Sequence, residues 1–122
     1  MTRPRIALTI AGSDSCGGAG IQADIKTFQA LGVYAMSAVT AVTVQNTGKV
    51  FAIQEMDPDI VHDQITCLFD DTPIDAVKIG MVSSIPLIEA IAGALAEVQR
   101  PPVVLDPVMI TKSGYALLRE EA

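Results

Sequence analysis

Leu8–Phe28 reads LTIAGSDSCGGAGIQADIKTF, an apolar run that passes through a glycine-rich turn into a segment with helical spacing. Leu8 to Ile10 have strand character. Ile21, Ile25, Phe28 and Leu31 recur at helical intervals, with Gly32 where a C-terminal cap belongs. Gly12, Gly17, Gly18 and Gly20 permit backbone conformations and close approaches that a β-carbon would block. Amides at the start of the following helix lack intrahelical partners and add a partial positive charge. The outline is that of an anion or polar-ligand site, although a plain βα connection in a parallel sheet accounts for it equally well. No Lys-Ser or Lys-Thr follows the glycines as in a P-loop, and the spacing is not Gly-x-Gly-x-x-Gly.

Outward from this unit the chain alternates. Ser37 to Val44 is rich in β-branched residues and predicts a strand that ends in the loop Gln45-Asn46-Thr47-Gly48. Val50 to Met56 predicts a short strand. Asp57 then offers an N-cap, Pro58 a first helical position, and Val61, Ile65, Leu68 and Phe69 an apolar stripe that ends near Asp70-Asp71-Thr72-Pro73. Ala76 to Ile79 reads as a strand, Ser84 as a cap, and Ile88, Ile91, Ala92, Leu95 and Val98 as a buried helical face. Val103 to Leu105 is the last strand, leading into Asp106-Pro107. Strands alternating with helices of this length predict an α/β fold with right-handed crossovers and a mostly parallel sheet covered by helices on both faces. All C-terminal strand ends then share one edge, where ligands of open α/β sheets bind. Ser13 and Asp14, Gln45, Gly80 and Met81, and Asp106 to Val108 converge there.

Composition narrows the function classes. At 122 residues the chain suits one domain with a real core. Half of its residues are hydrophobic and the mean hydropathy is +0.43, as expected of strands sandwiched between helices. A net charge of −6 argues against nucleic acid and anionic membrane surfaces as partners. It does not exclude ATP, whose phosphates are gathered locally by backbone donors and a metal. Cys16 and Cys67 have neither metal-ligand nor disulfide spacing, so reduced thiols are expected. The apolar run after the basic start Met1 to Arg5 breaks at Gly12 to Asp14, too soon for a signal-peptide core or a membrane span. A cytoplasmic protein is the expectation.

Residue chemistry suggests roles in the crevice. Gln45 carries an amide donor and an acceptor side by side, suited to the polar edge of a ligand, though a plain turn residue explains it too. Met81 is a polarizable cover for an aromatic ring face, and Val108 a further apolar wall. Asp24, in the first turns of its helix, at least complements the helix dipole. Asp106 is a carboxylate at a strand end, suited to hydrated Mg2+ or to a structural role before proline. Lys112 sits in a polar, glycine-containing segment that suits a flap or a solvated surface. His62, on the polar side of its helix, is given no catalytic role.

The opening segment, VTAVTVQNT (Val39 to Thr47), DAVKIGMV (Asp75 to Val82) and VVLDPVMITKSG (Val103 to Gly114) together resemble the hydroxymethylpyrimidine and phosphomethylpyrimidine kinases of thiamine biosynthesis, members of the ribokinase-like superfamily. The likeness spans nearly the whole chain in consistent order. It departs at Ser15-Cys16, where Pro-Ser or a similar small pair is expected. The resemblance implies a ribokinase-like fold, ATP and Mg2+ as cofactors, and a pyrimidine substrate bound by Gln45, Asp24, Gly12, Met81 and Val108, with Asp106 toward the metal. It also implies a homo-oligomer.

The family's anion hole and the general base at its end lie in the C-terminal half of a longer chain, and nothing like them or like Asn-x-x-Glu occurs here; after Gly93 the only glycine is Gly114. Residues 1–122 are therefore expected to be the N-terminal, substrate-binding part of one kinase domain, inactive in isolation and without catalytic residues of their own. The alternatives are a pyridoxal or pyridoxine kinase, whose substrate has the same hydroxymethyl-on-heteroaromatic shape, and a non-catalytic ligand-binding or assembly fragment.

Overall fold

Strand β1 (Ile6–Ser13) lies at the centre of the sheet, and the alternation of its side chains divides the molecule into layers. In this computed structural model, which describes residues 3–107, Leu8 and Ile10 face one way into the main core. There they meet Val61 and Ile65 of helix α2 (Pro58–Asp71) and Leu87 and Ile91 of helix α3 (Ile85–Ala96). Thr9 faces the opposite way, toward helix α1 (Gly20–Ala30). Leu8, Ile10, Val61, Ile65 and Leu87 are completely buried, each worth about 1.5–3 kcal/mol of transfer free energy.

The remaining strands are β2 (Tyr34–Gln45), β3 (Val50–Glu55), β4 (Ala76–Ile79) and β5 (Val103–Leu105), in the order β3-β2-β1-β4-β5. Parallel ladders join β1 to β2 from Ile6↔Tyr34, β1 to β4 from Ala7↔Ala76, and β4 to β5 from Val77↔Val103. Only β3 runs antiparallel, hairpinned onto β2. The expected α/β sheet with helices on both faces is what forms, and the four parallel strands end on one edge.

Three local expectations differ. Strand β2 starts at Tyr34 rather than Ser37 because Tyr34 to Met36 pair with Ile6 to Leu8, and it includes Gln45, so Gln45 ends a strand rather than opening a loop. The N-cap positions of α2 and α3 are occupied by Asp57 and Ser84 as expected, but neither side chain bonds a helix amide. The buried face of α3 is Leu87, Ile91, Ala94 and Leu95. Ile88 and Ala92 are exposed and line a cavity of about 480 Å³ beside Ile79, Val103, Leu105 and Pro107. Helix α1 ends as expected, with Gly32 at φ 75° and the amides of Gly32 and Val33 returning to the carbonyls of Gln29 and Phe28. At the N-terminal edge, Asp75 accepts from the Arg3 guanidinium twice at 2.8 Å and from the Ile6 amide, contacts that hold its carboxyl far below the usual range. Val108 and Lys112 lie outside the described residues.

Candidate functional site

The loop after β1 is organised by Asp14, a residue only 4% exposed. Its carboxylate accepts from the amides of Cys16 (2.8 Å), Gly18 (2.9 Å) and Ala19 (2.8 Å), while its carbonyl accepts from Gly17. An internal carboxylate thus occupies these three loop amides, which lie ahead of the amides that open α1 at Gly20. Gln22 closes the loop from the helix side: its Oε1 accepts from the Asp14 amide and its Nε2 donates to the Ser13 hydroxyl.

The glycines divide by what surrounds them. Gly20 has φ 58°, and a β-carbon there would collide with the Gly12 carbonyl, so the turn requires glycine at this position. Gly12 makes room for the Met81 side chain, whose methyl occupies the space a β-carbon would need. The structure thus brings Gly12 and Met81 together, as the site assignment requires, with Met81 buried beside Ala41. The Thr40 hydroxyl donates to the Met81 carbonyl at 2.8 Å and pins the segment after β4 to β2. Gly18, by contrast, is exposed, has no positive φ, and would set a β-carbon 3.9 Å from Asp14 Oδ2.

Gln45 is fixed through its backbone. The Ser15 hydroxyl donates to the Gln45 carbonyl at 2.6 Å and accepts from its amide at 3.0 Å, buttoning the glycine-rich loop to the end of β2. Thr43 Oγ1 lies 3.1 Å from Gln45 Oε1 and 2.8 Å from the Ser13 carbonyl. Gln45 Nε2 has no hydrogen-bond partner among the described residues, which leaves a donor for a ligand. Ser15, where the sequence departs from the family pattern, is therefore a structural clasp.

Asp24 points back onto the sheet. Its two carboxylate oxygens each lie 2.9 Å from Lys78 Nζ on β4, and Oδ2 also accepts from the Thr9 hydroxyl at 2.6 Å. Sequence reasoning missed Lys78, Thr9 and the capping role of Asp14. The one available signal was a lysine inside an otherwise apolar central strand, a position that demands a partner. Asp106 is exposed just past β5, where its amide donates to the Ile79 carbonyl at 2.8 Å. Among the described residues no three His, Cys, Asp or Glu side chains cluster to hold a metal. A lone carboxylate remains compatible with Mg2+, which commonly takes one or two carboxylates plus water and phosphate oxygens.

Gly12, Gln45, Met81 and Asp106 thus occupy the C-terminal ends of four strands or the loops that follow, with Asp24 over the same edge. A family model for phosphomethylpyrimidine kinase matches residues 14–122. The chain belongs to the phosphomethylpyrimidine kinase family. It is 56% identical over 117 residues to the hydroxymethylpyrimidine/phosphomethylpyrimidine kinase of Rhizobium meliloti, covering 96% of this chain and 44% of that one. The phosphomethylpyrimidine kinase of Clostridium difficile has a solved structure that superposes with a TM-score of 0.89 at 55% identity, covering 97% of this chain and 51% of that one. An ADP complex of Bacillus subtilis pyridoxal kinase gives a TM-score of 0.80 at 43% identity, covering 90% and 42% respectively. The chain spans about 44% of the length of this curated relative. Among the described residues no helix is long and apolar enough to cross a membrane.

Proposed function

We propose that this chain is the substrate-binding part of an ATP-dependent kinase that phosphorylates 4-amino-5-hydroxymethyl-2-methylpyrimidine and then its monophosphate. The observation that carries the reading is Gln45: its backbone is clasped by Ser15 at the end of β2, and its side-chain amide, beside Thr43 Oγ1, offers a donor and an acceptor to a heterocycle edge. Met81, seated over Gly12, supplies an apolar wall, and Val108 would extend it. Asp24 supplies an acceptor over the same edge. Asp106 would hold hydrated Mg2+, whose charge offsets that of the ATP phosphates during transfer. The family resemblance implies that the complete enzyme adds an anion hole and a base to these residues and forms a homo-oligomer.

Pyridoxal as substrate is the second reading, favoured by the 43% identity to a pyridoxal kinase. Both substrates present a hydroxymethyl group on a six-membered heteroaromatic ring, but only the aminopyrimidine offers the adjacent amine and ring nitrogen that an amide side chain pairs with. In the full-length kinase carrying this chain, Gln45→Ala is expected to weaken pyrimidine binding by about 1–3 kcal/mol and to leave ATP binding unchanged. Calorimetry with each ligand checks this. Unchanged pyrimidine affinity, or a preference for pyridoxal in the parent enzyme, overturns the assignment.

A further inference from the structure

Lys78 and Gly80 are two residues apart and share a face at the end of β4, so the lysine stem runs over the glycine toward the strand's C-terminal end. A β-carbon at Gly80 would lie 3.2 Å from Lys78 Nζ and 3.0 Å from Ala11 Cβ, so a side chain at position 80 would crowd the ammonium where it now sits. From that place Nζ reaches both oxygens of Asp24 at 2.9 Å. The pair is largely sheltered, with 26% of the lysine side chain and 15% of the aspartate exposed. It links helix α1 to β4 across 54 residues of sequence.

A partly buried carboxylate without a partner turns toward water, and its aim at a ligand is lost. Lys78 and Thr9 remove that freedom. Two contacts from the ammonium and one from the hydroxyl leave further lone pairs on the carboxylate, while a third ammonium donor remains on Nζ. We propose that Lys78 is a positioning residue of the pyrimidine crevice, holding Asp24 in the one orientation in which its remaining lone pairs meet an N–H or O–H donor of the substrate. The proposal rests on the reading of Asp24 as a substrate contact. It gives the sequence Lys-Ile-Gly at 78 to 80 a physical purpose: lysine to orient the carboxylate, glycine to admit the lysine.

Steady-state kinetics on the full-length kinase carrying this chain tests it with Lys78→Met, Lys78→Arg and Asp24→Asn. Lys78→Met and Asp24→Asn are each expected to raise KM for hydroxymethylpyrimidine about tenfold, the loss of one charge-assisted contact, with KM for ATP unchanged. The double variant is expected to be no worse than Asp24→Asn alone, because the lysine acts through the aspartate. Lys78→Arg is expected to restore KM to near the parent value, since a guanidinium also pairs with a carboxylate through two donors. A lowered thermal midpoint with native KM in Lys78→Met would show that the pair only fastens α1 to the sheet, and overturns the proposal. If Lys78→Met does not fold, Lys78→Arg decides: a parental midpoint with KM as high as in Asp24→Asn also overturns it. Asp24→Asn with native KM, beside a Gln45→Ala variant that has lost affinity, removes Asp24 from the crevice and this proposal with it, while leaving the proposed function standing. Native KM in both sinks the function itself.

Discussion

At the scale of single residues, the glycines of the first loop divide into those the turn requires and those it tolerates. Gly20 combines φ 58° with a β-carbon position that collides with the Gly12 carbonyl, a backbone atom that cannot swing aside. Gly20→Ala is therefore expected to cost about 2 kcal/mol or more, roughly 1–2 from the left-handed conformation and the rest from displaced backbone. Gly18→Ala meets its nearest atom at 3.9 Å, in a conformation open to any residue, and is expected to stay within about 0.5 kcal/mol of the parent. Urea midpoints of the two variants check the contrast; equal midpoints would mean that the loop relaxes around Gly20. The run of glycines is visible in the sequence, but which of them the turn needs is not, because that depends on where the Gly12 carbonyl ends up. The same limit hid the Asp14 cap. An Asp ahead of a glycine-rich turn is a common local acceptor, yet nothing in the spacing says that it takes three amides of that turn.

At the scale of elements, α2 and α3 pack side by side, and their exposed seam carries the chain's single histidine. His62 Nδ1 lies 2.9 Å from Asp63 on its own helix, and Nε2 lies 3.0 Å from Glu97 at the C-terminal end of α3. The hydrogen bond to Asp63 and then that to Glu97 raise the imidazole pKa. A group whose folded pKa is raised contributes stability that is fully present below its unfolded value, about 6.5, and that fades as pH rises through the folded value. His62→Gln is therefore expected to destabilise the protein most at mildly acidic pH and least in alkali. Thermal melts from acid to alkaline pH check this, and a parallel shift at every pH would remove the ion pairs as its cause. Helix α3 also shows where pattern reading fails. IPLIEAIAGALA is apolar on almost every side, so its sequence cannot say which face the core takes. The core took Leu87 and Ala94, and left Ile88 and Ala92 along the cavity beside β5. Strand positions were legible because β-branched runs are bounded by breakers, whereas Tyr34 to Met36 joined β2 only through pairing with β1. The Asp24–Lys78 pair was hidden for a like reason: the two residues are 54 apart and meet only once α1 lies over the sheet.

At the scale of the whole molecule, the five strands and three helices of the described residues assemble a crevice floor, and little among them stabilises charge on a transferring phosphoryl group. Such transfer depends on positioned donors and metal around the three equatorial oxygens. The amides of Cys16, Gly18 and Ala19 are committed to Asp14, and two donor contacts of Lys78 to Asp24. Among the described residues Asp106 alone stands at the strand ends as a candidate metal carboxylate, and a hydrated ion held at one point fixes the ATP phosphates poorly. The 122-residue chain by itself is therefore expected to bind hydroxymethylpyrimidine through Gln45 and Met81 without phosphorylating it. Calorimetry reads the first half of that statement and mass spectrometry of a long incubation with ATP and Mg2+ reads the second. Removing one preorganised donor from a site of this kind costs about 100- to 1,000-fold in rate, so a chain without an anion hole should show no measurable turnover. Phosphorylated product from a preparation shown to be free of longer kinase would mean that donors for the phosphoryl group lie within these residues after all. The place to search would then be the Asp14 loop, whose three amides would have to exchange their own carboxylate for the phosphates of ATP.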